Sequence, residues 1–213
     1  MGLTSMLDHA QWPTLLELID MPGQLLLPRS NLPLNIEDAR HKQAILDALK
    51  NDRYIGLVQP TEGDGVSQSG CLGRITTFSE LEDDRMLVVL KGVIRFRIAE
   101  TLTTPQGPLR ARVDYAPFTF DVLEEETLPE DREQLLSSLK DYLTLHEINA
   151  NWEEIYAASD DRLIAALAML CPLDSAEKQA LLETPTLQER CRMMTALLEM
   201  AFMKGRAGSW TKH

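Results

Sequence analysis

Hydrophobic positions along this chain change period part-way through. In the first half they alternate, or come in short bursts cut by turn residues. Leu16-Glu17-Leu18-Ile19, Gln24-Leu25-Leu26-Leu27 and Leu32-Pro33-Leu34-Asn35-Ile36 are separated by Met21-Pro22-Gly23 and Pro28-Arg29-Ser30, which predicts strands joined by tight turns. Residues 38–49 switch to helical spacing, with Ala39, Ile45, Leu46 and Leu49 falling largely on one face. Residues 54–58 read as another strand, stopped by Pro60, and residues 61–70 as a flexible loop. Residues 85–90 form a nearly continuous apolar run, the pattern of a strand buried on both faces. Beyond Gly92, Ile94, Phe96 and Ile98 point one way while Arg95 and Arg97 point the other. Leu109, Ala111, Val113 and Tyr115 repeat the alternation after a loop over residues 103–108. Short strands, frequent turns and one helix predict a compact barrel-like sheet.

The second half is helical. Leu135, Leu139, Tyr142, Leu143 and His146 form a stripe behind Pro129. Leu163, Ile164, Leu167 and Leu170 form a second, closed by Cys171-Pro172. Asp174 with Glu177, and Thr186 with Glu189, have the spacing at which side chains cap free backbone N–H groups, so each opens a helix. Gly205 reads as the final stop. The expectation is α+β: a β-rich subdomain over residues 1–120, then a bundle of four helices over residues 121–213. The acidic run Glu124-Glu125-Glu126 marks the join.

Composition narrows the partners. The 213 residues carry 21 Lys/Arg against 33 Asp/Glu, a net charge of −12. Residues 1–120 hold 12 basic and 15 acidic residues, and residues 121–213 hold 9 and 18, so the acidity belongs mainly to the helices. Coating a nucleic acid requires cations that displace counterions from phosphates, and this balance argues against it. No stretch of apolar residues is long enough to span a membrane, and the first 15 residues lack the pattern of a secretory signal. Three cysteines, Cys71, Cys171 and Cys191, are odd in number and widely spaced, which suits a reducing, cytoplasmic setting and buried thiols.

Motifs for chemistry are sparse. No GxxxxGK[ST] loop occurs, and Gly63-Asp64-Gly65 followed by Gly70 misses dinucleotide spacing, so no cofactor is implied. His146-Glu147 opens like a zinc-protease helix, but Ala150 stands where the second metal ligand must lie. No GxSxG elbow is present. These features predict no catalytic and no metal residues. Arg95 and Arg97 are the candidate binding surface, because a row of guanidinium groups can receive carboxylates. The alternative for them is a solvated strand face paired with Glu80, Glu82 or Asp84.

Several blocks resemble the N-terminal, substrate-binding domain of Lon proteases. Residues 21–36 are similar to that family's opening strand and turn, and Leu32-Pro33-Leu34-Asn35-Ile36-Glu37-Asp38-Ala39-Arg40 to its "LPL-I-E-R" run. The sequence departs from the pattern in lacking an aromatic before Glu37 and in carrying Ala39 in place of proline. Gly70-Cys71-Leu72-Gly73-Arg74-Ile75 resembles the family's "G-G-I" strand, and residues 84–98 its "G-vvl-G-RfRI" hairpin, with Gly92 at the bend. Residues 178–183 and 187–190 resemble its "kQ-LLE---l-eR" helices. The likeness runs over about residues 16–203 and implies a PUA-like β-subdomain followed by the four-helix bundle. It also implies a stand-alone recognition module without the ATPase and the Ser–Lys peptidase, which binds polypeptide substrates or partner proteins and serves protein quality control as an adaptor. Self-association is left open. A small-molecule or nucleic-acid sensor is the other function that PUA-like sheets allow.

Overall fold

β1 (Leu15–Asp20), β2 (Asn31–Ile36), α1 (Ala39–Lys50), β3 (Tyr54–Val58), β4 (Ser69–Glu80), β5 (Met86–Leu102) and β6 (Leu109–Asp114) make up the first part of the chain. A 3-10 strap, Ala116–Val122, follows. The computed structural model describes residues 12–63, 65–81, 84–102, 107–122 and 128–210. The acidic run 124–126 and most of the loop 103–108 therefore lie outside the described residues. The chain divides into two units, one ending at Leu123 and the other beginning at Glu124, so Asp121 belongs to the sheet unit.

Five strands close a ring. β5 pairs with β4 and β6, β1 with β3 and β6, and β3 with β4, while β2 adds to the free side of β5 as an edge strand. Only β1–β3 is parallel among these pairs. Pro33 lies in β2, where its missing N–H costs little because an edge strand has one unpaired side.

β5 joins both sides of the ring because it bulges. Its register passes from Ile94 opposite Leu72 to Gly92 opposite Gly73, leaving Val93 extra, and Ala99 is extra in the same way against β6. Each extra residue bends the strand and increases its twist. The expected hairpin over residues 84–98 is thus one continuous strand. Gly92 serves close approach rather than a bend: a Cβ there would run into the carbonyl of Leu27. The Arg29 N–H donates to the Gly92 carbonyl and the Gly92 N–H to that of Ser30, both at 2.9 Å.

The run 85–90 is not buried on both faces. Met86, Val88 and Leu90 point into the core, while Leu87 is exposed. Residues 24–27, read as a strand, have no strand partner, although Leu25, Leu26 and Leu27 are all buried. Side chains satisfy part of their irregular backbone. Gln59 donates from Nε2 to the Gln24 carbonyl at 2.9 Å, and the Ser30 hydroxyl donates to the Leu27 carbonyl at 2.6 Å. Buried polar backbone needs such partners wherever no ladder supplies them. The barrel core is Leu16, Leu18, Val58, Leu72, Ile94, Phe96, Ile98, Ala111, Val113 and Phe118. α1 is capped by Asp38, which accepts from the N–H groups of Arg40 and His41. The helix buries Ala44, Ile45 and Ala48, while Ala39 is exposed.

Among the described residues the second unit holds the expected helices and one further short one: α2 (Pro129–Leu145), α3 (Trp152–Ala157), α4 (Asp160–Leu170), α5 (Ser175–Glu183) and α6 (Leu187–Trp210). α6 packs against α2, α4 and α5 and contributes Cys191, Met194, Leu197 and Leu198 to the core. The Asp174–Glu177 capping box forms as the spacing predicts. At the start of α6, Glu189 accepts from the Thr186 N–H while the Thr186 hydroxyl oxygen accepts from the Glu189 N–H. Gly205 does not stop the last helix, which runs five residues further. No helix among the described residues is long and apolar enough to cross a membrane.

Candidate functional site

The two arginines singled out by strand alternation do not form a surface pair. Arg97 is exposed, but the Arg95 side chain is 1% exposed. Its Nε donates to Asp121 Oδ2 at 2.9 Å and its Nη2 to Oδ1 at 2.7 Å, while its backbone N–H donates to Oδ2 at 3.0 Å. The Phe118 ring centroid lies 4.6 Å from the guanidinium carbon. The strap thus crosses the sheet at position 95 and supplies both a carboxylate and an aromatic face. Arg95 is thereby corrected from a binding group to a structural fastener, for a tertiary reason: alternation sets which side of a strand a residue faces, not whether another segment covers that side. Of the acidic partners expected for it, two are accounted for otherwise. Asp84 pairs with Lys42 at 2.6 Å, and Glu82 lies outside the described residues.

A concave feature suited to a ligand lies in the helical unit. A groove of about 580 Å³ opens between α2, α3 and α4, within the range of ligand-sized clefts. Leu139, Tyr142 and Leu143 from α2 line it, with Ile155 from α3 and Leu163, Leu167 and Leu170 from α4. The turn Ile148–Asn151, Glu154, Arg162 and Cys171 complete the wall. At the mouth Leu170 is 81% exposed and Ile148 50% exposed. Covering a large aliphatic side chain fully yields about 1.5–3 kcal/mol, so these two offer real affinity to an apolar partner.

A charged hub keeps the groove open by holding its three helices. Arg132 Nη1 pairs with Asp160 Oδ1, and Arg132 Nη2 donates to the Ile155 and Tyr156 carbonyls at 3.0 and 3.1 Å. Asp160 Oδ2 accepts from the Leu128 N–H at 2.9 Å. One guanidinium therefore satisfies the end of α3 while its carboxylate partner satisfies the start of α2. Asp131 takes hydrogen bonds from Arg192 and Gln188 at 2.8 Å each, which lower its pKa and tie α2 to α6. Burial pushes the Cys171 thiol up to about 11, so the sulfur in the groove wall is protonated and apolar in character at neutral pH.

Sequence reasoning missed this site because its parts straddle an unrecognised helix. α2 ends at Leu145, and Glu147 takes a positive φ of 54°, so His146-Glu147 is a helix terminus rather than the start of a metal-binding turn. The legible signal was Asn151 three residues before Glu154: Asn151 Oδ1 accepts from the Glu154 N–H and opens α3. Among the described residues no group of His, Cys, Asp or Glu is arranged to hold a metal ion.

A closed β-barrel unit followed by a helical unit with an apolar groove defines a two-part module of known type. Residues 16–200 match the family model described as the ATP-dependent protease La (LON) substrate-binding domain, and the chain belongs to that family. Lon protease 2 of Myxococcus xanthus is 25% identical over 214 aligned residues, covering 93% of this chain and 25% of that protein. Lon protease of Haemophilus influenzae is 25% identical over 189, covering 82% and 23%. The chain thus spans about a quarter of the length of these curated relatives. Among solved structures, the N-terminal domain of the Mycobacterium avium complex Lon protease superposes with a TM-score of 0.66 at 20% identity, over 86% of this chain and 97% of that one. A Lon N-terminal domain protein from Xanthomonas campestris gives 0.66 at 19%, over 86% and 98%. These likenesses establish the fold: a six-stranded sheet followed by C-terminal helices.

Proposed function

We propose that this chain is a non-catalytic polypeptide-binding module that takes apolar segments of unfolded proteins into the α2–α3–α4 groove, working in the cytoplasm as an adaptor for a separately encoded Lon-type protease. Membership of the substrate-binding family over residues 16–200 carries the reading. The groove supports it, since exposed Leu170 and Ile148 above an apolar floor suit side chains that a folded protein hides. Three buried thiols, Cys71, Cys171 and Cys191, fit a reducing compartment.

Fluorescence anisotropy with a labelled, reduced and carboxymethylated protein tests the binding. Saturable binding is expected for the unfolded probe and not for its native counterpart, and equal affinity for both would refute the reading. Casein incubated with the purified chain should remain intact with and without ATP. Cleavage that persists through repurification would make the protein an enzyme.

A further inference from the structure

β2 is the last strand of the sheet: β5 pairs with one side of it, and among the described residues no strand pairs with the other. The Gly92 N–H donates to the Ser30 carbonyl at 2.9 Å, one step before Asn31 meets Lys91 in register. Bonded positions in an antiparallel pair recur at every second residue, so Leu32, Leu34 and Ile36 turn their N–H and C=O groups toward β5. Asn31, Pro33 and Asn35 turn theirs outward. Pro33 fits only this phase, because it has no N–H to give the ladder. The side chains of these three residues are exposed, as is Glu37, next in the same alternation.

The two ends of this edge carry opposite charge. At the Asn31 end, direct cross-strand pairing places Asn31, Lys91 and Arg74 in one row across β2, β5 and β4. Lys91 and Arg74 are both exposed. Like charges directly opposite one another destabilise a sheet, and an added carboxylate relieves them. Among the described residues neither cation forms an ion pair, and at the other end neither does Glu37. The carboxylates of β1 and β5 that do pair, Glu17 and Glu100, hold Arg110 and Arg112.

A second copy of β2 running antiparallel brings these opposite ends together. With Leu34 at the two-fold axis, Asn31 faces the partner's Glu37 and Pro33 faces the partner's Asn35. The Asn35 N–H of each copy then donates to the Pro33 carbonyl of the other. A register that set Pro33 against its own copy would lose both donors at that position. Glu37 of one copy stands beside Asn31 of the other, with Lys91 one strand further on, about 10 Å away between Cα atoms. A glutamate and a lysine side chain close that gap between them.

We propose that this chain dimerises through its β2 edges, antiparallel about Leu34, with Glu37 of each copy paired to Lys91 of the other. Between its ends the edge is uncharged, so the ion pairs at the two ends set the register. The α2–α3–α4 groove takes no part, and this pairing is therefore tested independently of polypeptide binding.

Sedimentation of the full chain is the test. A concentration-dependent dimer is expected in the micromolar range, weakening as salt rises from about 0.05 M to about 0.5 M. Glu37→Lys and Lys91→Glu should each weaken it about tenfold, since every dimer contains the pair twice. Mixing these two variants should restore association as a heterodimer, because each then meets the charge opposite to its own. Asn35→Pro removes an outward donor without touching the β5 ladder and should leave the chain monomeric. All three positions are exposed, so the circular dichroism melts of the monomers should match the parent's. A parent chain that stays monomeric across the micromolar range overturns the proposal. So does a dimer that both charge reversals leave intact, or a pair of variants that fails to associate on mixing. A dimer dispersed by Leu170→Ser would lie at the groove and overturn it as well.

Discussion

Arg95 and Asp121 form a doubly hydrogen-bonded ion pair with side-chain exposures of 1% and 6%, joining the middle of β5 to the strap that leaves the barrel. Both charges are out of water, and the carboxylate also accepts the Arg95 backbone N–H. Removing either partner leaves the other's buried charge without its counter-ion. Arg95→Met or Asp121→Ala should therefore cost about 3–5 kcal/mol in urea denaturation, and the double variant much less than the sum. Arg97→Met, at an exposed position on the same face, should stay within about 0.5 kcal/mol of the parent.

Gly92 faces the backbone of the Leu27–Ser30 turn so closely that a methyl group has no room. The clash is with backbone rather than with a flexible side chain, and both hydrogen bonds between Gly92 and the turn must lengthen to relieve it. Gly92→Ala should lower the melting temperature by several degrees by circular dichroism, whereas Gly23→Asn, at a φ of 69° with open space around the added Cβ, should be tolerated far better.

Glu17 and Asp131 should give opposite pH signatures. Burial raises the Glu17 pKa, the Arg110 guanidinium opposes this, and Oε2 has no hydrogen-bond partner. The folded state therefore holds the Glu17 proton more tightly than the unfolded state does. Its contribution is full below the ordinary carboxyl range and is lost as pH rises through the folded pKa. Glu17→Gln should gain stability relative to the parent between about pH 4 and about pH 7, read from urea midpoints. Asp131 is lowered by its bonds to Arg192 and Gln188, so its contribution is present above the unfolded pKa and lost as pH falls through the folded one. Asp131→Asn should flatten the acid limb of the same curve.

Cys171 and Cys191 are held as thiols, each pushed up to about 11, and burial is the leading cause for both. Native protein at neutral pH should react with a disulfide reagent far more slowly than urea-unfolded protein, because the thiolate is the nucleophile. Cys171 should be shielded further when an apolar peptide occupies the groove. Unchanged labelling of Cys171, followed by mass spectrometry, would place the peptide elsewhere.

The legible elements were those whose stability is local. β1, β2, β3 and β6 announce themselves by alternation and turn residues, and α5 by a capping box whose two halves lie three residues apart. Residues 24–27 look like a strand because three buried leucines share a strand's composition, while side chains rather than a ladder bond their backbone: Gln59 at the Gln24 carbonyl and Ser30 at that of Leu27. Residues 84–98 were misread as a hairpin because a glycine placed for close approach looks the same in sequence as one placed for a bend. α3 escaped notice because six residues are too few to show a helical period.

The sequence by itself determined most of the strands, the capped helices, the acidity of the helical half and the family, because each follows from residue types at short spacing. The fate of Arg95, the closure of the barrel by one bulged strand and the groove beneath Leu170 were decided only in three dimensions. In each case the deciding partner belongs to another element: Asp121 of the strap for Arg95, β6 for the far end of β5, and α4 for the wall facing α2. Alternation assigns a side chain to a face, and only packing settles whether that face meets water, a carboxylate or a client.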